Sequence, residues 1–169
     1  VSTTVKVKGA VVAAGTKSIV INDGGDKNLY VYINATHTWT VGNTVLVEGK
    51  VTTYGSTDVK LIQISGPTIT ACEESITPKS ETAVELTAAQ IDAFSSASSP
   101  KIKVTATVIV SGKYKNLDFG GTIVGSVVAS SLDSEFTDGR VVEITGYYAA
   151  TTTSSNTTSY FNILPVEVK

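Results

Sequence analysis

The sequence predicts an all-β chain built twice from one five-stranded unit, with a single short helix between the copies. Three observations carry this: a Val- and Thr-rich composition, a self-similarity at constant spacing, and turn chemistry between successive apolar segments. Hydrophobic residues make up 41% of the 169 residues and charged residues only 17%. Ser and Thr supply the missing polarity, at about a quarter of the chain. Branching at Cβ fits a pleated surface and crowds a helix, so Val and Thr favour strands.

The repeat has an offset of 97. Val5-Lys6-Val7-Lys8 aligns with Ile102-Lys103-Val104-Thr105, and the same shift pairs Val11 with Val108, Gly15 with Gly112 and Trp39 with Phe136. It continues through Gly42 and Gly139, Val45 and Val142, Val47 and Ile144, then Gly49 and Gly146. One offset kept through loops as well as strands marks a duplicated domain.

In the first copy the five segments fall at 4–14, 17–23, 28–34, 44–54 and 58–65. Alternation is clear in Val5/Val7, Leu29/Val31/Ile33 and Val45/Val47. Asp23-Gly24-Gly25-Asp26 joins the second and third segments, where glycine takes positive φ without a Cβ clash. Gly9 and Gly49, inside the first and fourth segments, suit the sharp bends that close a small barrel.

Five strands with bent first and fourth members resemble the OB-fold, so the expectation is two tandem five-stranded OB-type β-barrels with one linker helix at about 87–95. A pair of small β-sandwiches fits less well, given the short length of each copy. The connection Ala35–Thr40 is too short for the helix that often precedes the fourth strand. The phrase from Ile21-Asn22-Asp23-Gly24 through Leu29-Tyr30-Val31-Tyr32 to Val41-Gly42-Asn43-Thr44-Val45-Leu46-Val47-Glu48-Gly49 resembles OB modules of secreted surface proteins and lipoproteins of gut anaerobes. Asp118-Phe119-Gly120-Gly121 and Asp138–Gly146 match more loosely. That resemblance, with the low charge, implies an exported, periplasmic or cell-surface location. It implies a membrane link only through a lipid anchor outside this sequence.

The expected division is barrel 1 at 1–66, an acidic linker at 67–100 and barrel 2 at 101–169. Within the linker, Leu86 to Phe94 reads as a short helix. Thr87 caps it, Gln90 reaches back to the cap, and Leu86 and Ile91 stand at the positions of a hydrophobic staple. The helix is expected to dock on barrel 2 through Ile91 and Phe94.

No catalytic constellation emerges. His37 is alone in a Thr-rich loop, and Cys72 beside Glu73 and Glu74 lacks the positive surroundings that activate a thiol. A hairpin turn accounts for Asp23–Asp26 without calcium, whose six or more oxygen ligands are missing. The expectation is therefore no catalytic residue, no metal and no cofactor. No apolar run reaches the roughly 18 residues that cross a bilayer as a helix.

The remaining signal is aromatic. With Leu29, Val31 and Ile33 turned inward, Tyr30 and Tyr32 project outward on the usual ligand face of an OB barrel, with Lys17 and Lys27 expected nearby. The competing reading packs the same tyrosines against a neighbouring module. Tyr147 and Tyr160 are candidates for a second patch or for an inter-barrel contact. Under the 97 offset Tyr30 and Tyr32 become Val127 and Ala129, so the pair is not repeated. The net charge of −2 offers few cationic contacts to a polyanion. The leading expectation is a non-catalytic, monomeric module binding a glycan, peptide or protein. Single-stranded nucleic acid on barrel 1 is the alternative, and a ligand-free spacer the third reading.

Overall fold

The computed structural model describes residues 3–169. Barrel 1 comprises β1 (Thr4–Ala14), β2 (Ser18–Asn22), β3 (Asn28–Tyr32), β4 (Thr44–Tyr54) and β5 (Leu61–Ala71), closed in the order β1-β2-β3-β5-β4. Then come β6 (Val84–Glu85) and α1 (Ala88–Asp92). Barrel 2 comprises β7 (Lys101–Ser111), β8 (Tyr114–Asp118), β9 (Val124–Val127), β10 (Val141–Thr153) and β11 (Ser159–Val168). It closes through β10 pairing with β7. The two tandem barrels are as expected, and the offset extends to their last strands, since 61 plus 97 is 158 and β11 opens at Ser159.

Each barrel has its own core. Val11, Ile19, Ile21, Val31, Val45, Val47 and Ile64 fill the first. Ile102, Val104, Val108, Leu117, Val142 and Ile144 fill the second, with Phe136, Tyr148 and Phe161 fully buried among them. The barrels bend where glycine meets proline. A Cβ on Gly49 would lie 2.5 Å from Ile64 Cγ2 and 3.1 Å from Pro67 Cα, and one on Gly146 would lie 2.5 Å from Leu164 O and 3.0 Å from Pro165 Cα. No larger residue fits either crossing.

Three expected boundaries shift. The fifth strand runs from Leu61 to Ala71 rather than over 58–65, so it crosses the expected end of barrel 1 at 66. Gly66 (φ +56°) and Pro67 are absorbed as a bulge opposite Glu48–Lys50. The helix is Ala88–Asp92, shorter than 87–95, because Ala93 has already left helical φ/ψ. Its capping box is complete: the Thr87 hydroxyl accepts from Gln90 N, and Gln90 Oε1 accepts from Thr87 N at 2.9 Å. Leu86 and Ile91 are buried in the core of barrel 2, and the Phe94 ring meets Tyr148 edge-on at 4.9 Å.

The barrels also share a third apolar cluster. Ala13, Val20, Tyr30 and Leu61 from barrel 1 pack on Tyr147, Ala149, Ala150 and Leu164 from barrel 2. Its rim is tied by backbone bonds, Thr16 N to Ala129 O at 2.7 Å and Ser56 N to Thr151 O at 2.8 Å. Gly15 and Gly55 permit the approach: a Cβ on Gly55 would stand 3.1 Å from Thr151 O.

Candidate functional site

The docking of the barrels decides which tyrosines face solvent. Tyr30 does point out of barrel 1, but it points into barrel 2 and is only 6% exposed. Burial pushes its phenol up to about 12, opposed by the neighbouring Ser18 hydroxyl. Tyr147 meets it from the other side, 4% exposed, and burial pushes that phenol to about 12 as well, with Glu81 adding to the rise. Neither ring is open enough to stack on a ligand, and Tyr147 is an interface residue rather than a surface patch.

Tyr32 remains open at 39% exposure, its hydroxyl donating to Asn34 Oδ1 at 2.8 Å. Lys17 is near it, since Ser18 pairs with Tyr32 and Lys17 O accepts from Ile33 N at 2.9 Å. Lys27 is not. It precedes the other end of β3, five residues and roughly 16 Å from Tyr32 at 3.3 Å per residue, and lines a separate cavity with Val7, Ile21 and Leu29.

Two clefts meet on the solvent side of the barrel–barrel seam. The first, about 280 Å³, is walled by Tyr30, Tyr32, Tyr54 and Gln63 of barrel 1 and by Val128, Ala149 and Asn162 of barrel 2. The second, about 430 Å³, lies on barrel 2 between Tyr114 and Tyr160, with Asn116, Ser126 and Thr152 along its floor. Asn162 lines both. Its Nδ2 donates to Ala150 O at 2.9 Å, to Thr152 Oγ1 at 3.1 Å and to Tyr160 O at 3.2 Å, which leaves its Oδ1 as an acceptor. Tyr54 and Tyr114, at 47% and 60% exposure, are the most open rings. Lys113 Nζ lies 5.4 Å from the Tyr114 ring centroid.

The groove thus carries three exposed aromatic rings, Tyr32, Tyr54 and Tyr114, and the half-buried Tyr160, with amide and hydroxyl groups between them. Tyr32 and Tyr160 belong to it as sequence candidates. Tyr54, Tyr114, Gln63 and Asn162 were not singled out from the sequence. Two of them had a signal there, since Tyr54 and Tyr114 are aromatic residues bordering Gly55 and Gly112-Lys113, the loops that flank an OB ligand face. The pairing of the copies also needs correction at β9. Gln63 pairs with Tyr30, yet its counterpart Tyr160 pairs with Val124, not with the Val127 that the offset gives.

His37 is half-buried rather than a free loop residue: its Nε2 lies 2.8 Å from Gly15 O, and its Nδ1 accepts from Trp39 N at 3.1 Å. It holds a loop in place. Among the described residues no cluster of three or more His, Cys, Asp or Glu could hold a metal ion.

Two OB-type barrels fused along one seam, with an aromatic groove across it, define a class of architecture. No family model matches the chain and no curated protein is similar to it. Solved structures are similar to the chain, three of them as follows. A murine DNA-binding protein bound to double-stranded DNA has a TM-score of 0.45 at 7% identity, over 96% of both chains. A structure described as structural mimicry for functional antagonism has 0.44 at 9% identity, over 96% of this chain and 90% of that one. A replication protein A heterotrimer bound to single-stranded DNA has 0.31 at 9% identity, over 98% of this chain and 49% of that one.

These comparisons correct the leading expectation. None of the three is described as an exported, periplasmic or cell-surface module, a lipoprotein, or a glycan or peptide binder, and the two described with a ligand have DNA. The expected exported glycan-, peptide- or protein-binding module is withdrawn, together with its location and its ranking of nucleic acid behind other partners. At these identities and TM-scores the likenesses do not supply a ligand. That has to come from the groove.

Proposed function

We propose that the groove binds single-stranded nucleic acid, and that the protein is a binding module and not an enzyme. The observation that carries this is the set of rings lining the two clefts, the exposed Tyr32, Tyr54 and Tyr114 and the half-buried Tyr160, spread over both barrels on either side of Asn162. Every base has a π-face, so a row of rings is a sequence-tolerant platform, worth about 1–3 kcal/mol per stacked base. Asn162, Gln63 and Asn116 between the rings supply donors and acceptors for base edges. A duplex keeps its bases stacked on one another and cannot use such rings.

The cations at the groove are few: Lys17 beside Tyr32, Lys60 before Leu61, and Lys113 over Tyr114. Counterion release is correspondingly small. With three phosphate contacts the logarithm of the binding constant falls with the logarithm of salt with a slope of about −2.

The test is fluorescence anisotropy of a labelled oligo-dT titrated with the protein over a range of salt. Tyr32→Ala and Tyr54→Ala should each weaken binding by about 5- to 100-fold, with little change in salt slope. Lys113→Ala should lower the slope. No binding of any single-stranded oligonucleotide at low salt, or equal losses with Tyr32→Ala and with a control away from the groove, such as Lys169→Ala beside Glu143 and Glu167, would end the proposal.

A further inference from the structure

The duplication gives each barrel a reference for what its base should look like, and the two bases differ. In barrel 2, β6 lies parallel to the first half of β7, pairing Val84 with Ile102 and Glu85 with Lys103. Leu86 N donates to Lys103 O at 2.9 Å. The chain then turns through α1 into the gap between β7 and the β8–β9 loop. There the Asp92 carboxylate accepts from Thr122 N at 3.0 Å and from Ile123 N at 2.9 Å. Beneath this lead-in Ile102 and Val104 are 0% and 1% exposed.

In barrel 1 the same positions are bare. Lys6 is the counterpart of Lys103, and β1 pairs with β4 on one side over Thr4–Ala10. On the other side no described residue pairs with its first half. Val5 and Val7, the counterparts of Ile102 and Val104, are only half-buried. The gap that α1 fills in barrel 2 is here a cavity of about 150 Å³, lined by Val7, Ile21 and Leu29 with Lys8, Lys27 and Asp23 at its mouth. Glu74, bonded to Lys8, touches one end of it and leaves the strand edge uncovered.

We infer that the base of barrel 1 is a docking site for an extended acidic–apolar peptide segment, added as a strand parallel to β1 at Lys6 with an apolar side chain in the Val7–Ile21–Leu29 cavity. The chemistry of the occupant is read from the lead-in of barrel 2. That segment, residues 80–94, carries Glu81, Glu85 and Asp92 with no Lys or Arg, and offers Leu86 and Ile91, both buried in barrel 2, as apolar anchors. Its charge suits Lys27 at the cavity mouth, which forms no ion pair among the described residues, whereas Lys6 and Lys8 are held by Glu48 and Glu74. Strand addition takes its affinity from main-chain hydrogen bonds and its selectivity from such pockets.

The test uses the whole chain and a synthetic peptide of residues 80–94, followed by amide hydrogen exchange. The peptide should slow exchange at Lys6 by about tenfold or more near saturation, with Lys103 unchanged. Lys6→Pro removes the outward amide and Leu29→Arg fills the cavity; each should abolish the protection while the chain still melts cooperatively. Should Lys6→Pro fail to fold, Leu29→Arg alone decides. Unchanged exchange at Lys6 up to about 1 mM peptide, the weakest range worth calling specific, would overturn the inference. So would protection that rises with protein concentration without peptide, because the edge would then pair with a second copy. Neither result depends on whether the groove binds nucleic acid.

Discussion

At the residue scale, the two tyrosines buried at the seam have a measurable consequence. Tyr30 and Tyr147 each ionise near 12 in the folded chain, against 10 for an ordinary phenol, because burial disfavours the phenolate. The folded state therefore holds its protons longer than the unfolded chain. The stability linked to them is complete below pH 10 and is lost as pH rises from 10 towards 12. Burial raises the fully buried Tyr148 phenol as well, so absorbance at 295 nm should show three of the seven tyrosines ionising late and together with unfolding. Tyr30→Phe combined with Tyr147→Phe should flatten the alkaline loss of stability in urea titrations at pH 9, 10.5 and 11.5, values chosen to span the window.

At the element scale, α1 is short and depends on its ends. Five residues make too few internal hydrogen bonds to persist alone. The capping box fixes the N-terminus, and Thr87→Ala should cost about 1 kcal/mol, read as a lower denaturant midpoint. Asp92 fixes the other end on the β8–β9 loop, and the bonds from the Thr122 and then the Ile123 amides hold its carboxyl below the usual aspartate range. A depressed carboxyl stabilises above its unfolded pKa, and that contribution is lost as pH falls through its folded value. Asp92→Asn should therefore speed amide exchange at Thr122 and Ile123 at neutral pH, and acid should do the same to the unaltered protein below about pH 4.

At the scale of the whole molecule, the shared cluster makes two barrels behave as one. Trp39 is the only tryptophan and packs against the core of barrel 1, whereas far-UV circular dichroism reports both barrels. The two signals should give coincident urea curves if the seam couples the barrels. Gly55→Ala tests the seam. Its φ of +119° disfavours a side chain, and the new Cβ would press on Thr151 O at 3.1 Å and on the Ala150 methyl at 3.4 Å. A loss of about 1–3 kcal/mol is expected, with the fluorescence and dichroism curves drawing apart as the barrels uncouple.

The strand pattern was legible because it is local. Alternation in Val5/Val7 and Val45/Val47, glycines at the turns and the Thr87–Gln90 box each declare themselves within a few residues. The fifth strand misled for a physical reason. Gly66-Pro67 is a breaker in most contexts, and it is accommodated here only because Gly49 on the facing strand leaves room for a bulge. The site was half legible. Alternation correctly turned Tyr30 and Tyr32 out of the barrel, but no pattern within one copy could tell that the other copy covers Tyr30 and Tyr147 and leaves Tyr32 and Tyr54 open.

The sequence by itself determined the duplication, the strands and the capped helix, since each follows from local backbone preference and from the period of apolar residues. The tertiary structure alone decided which outward side chains are buried at the seam, where two clefts join at Asn162, and which barrel has its base filled. Those outcomes depend on how two finished barrels dock. Docking is set by the match of whole surfaces, with Gly15 and Gly55 admitting the close approach, and no stretch of sequence contains a surface.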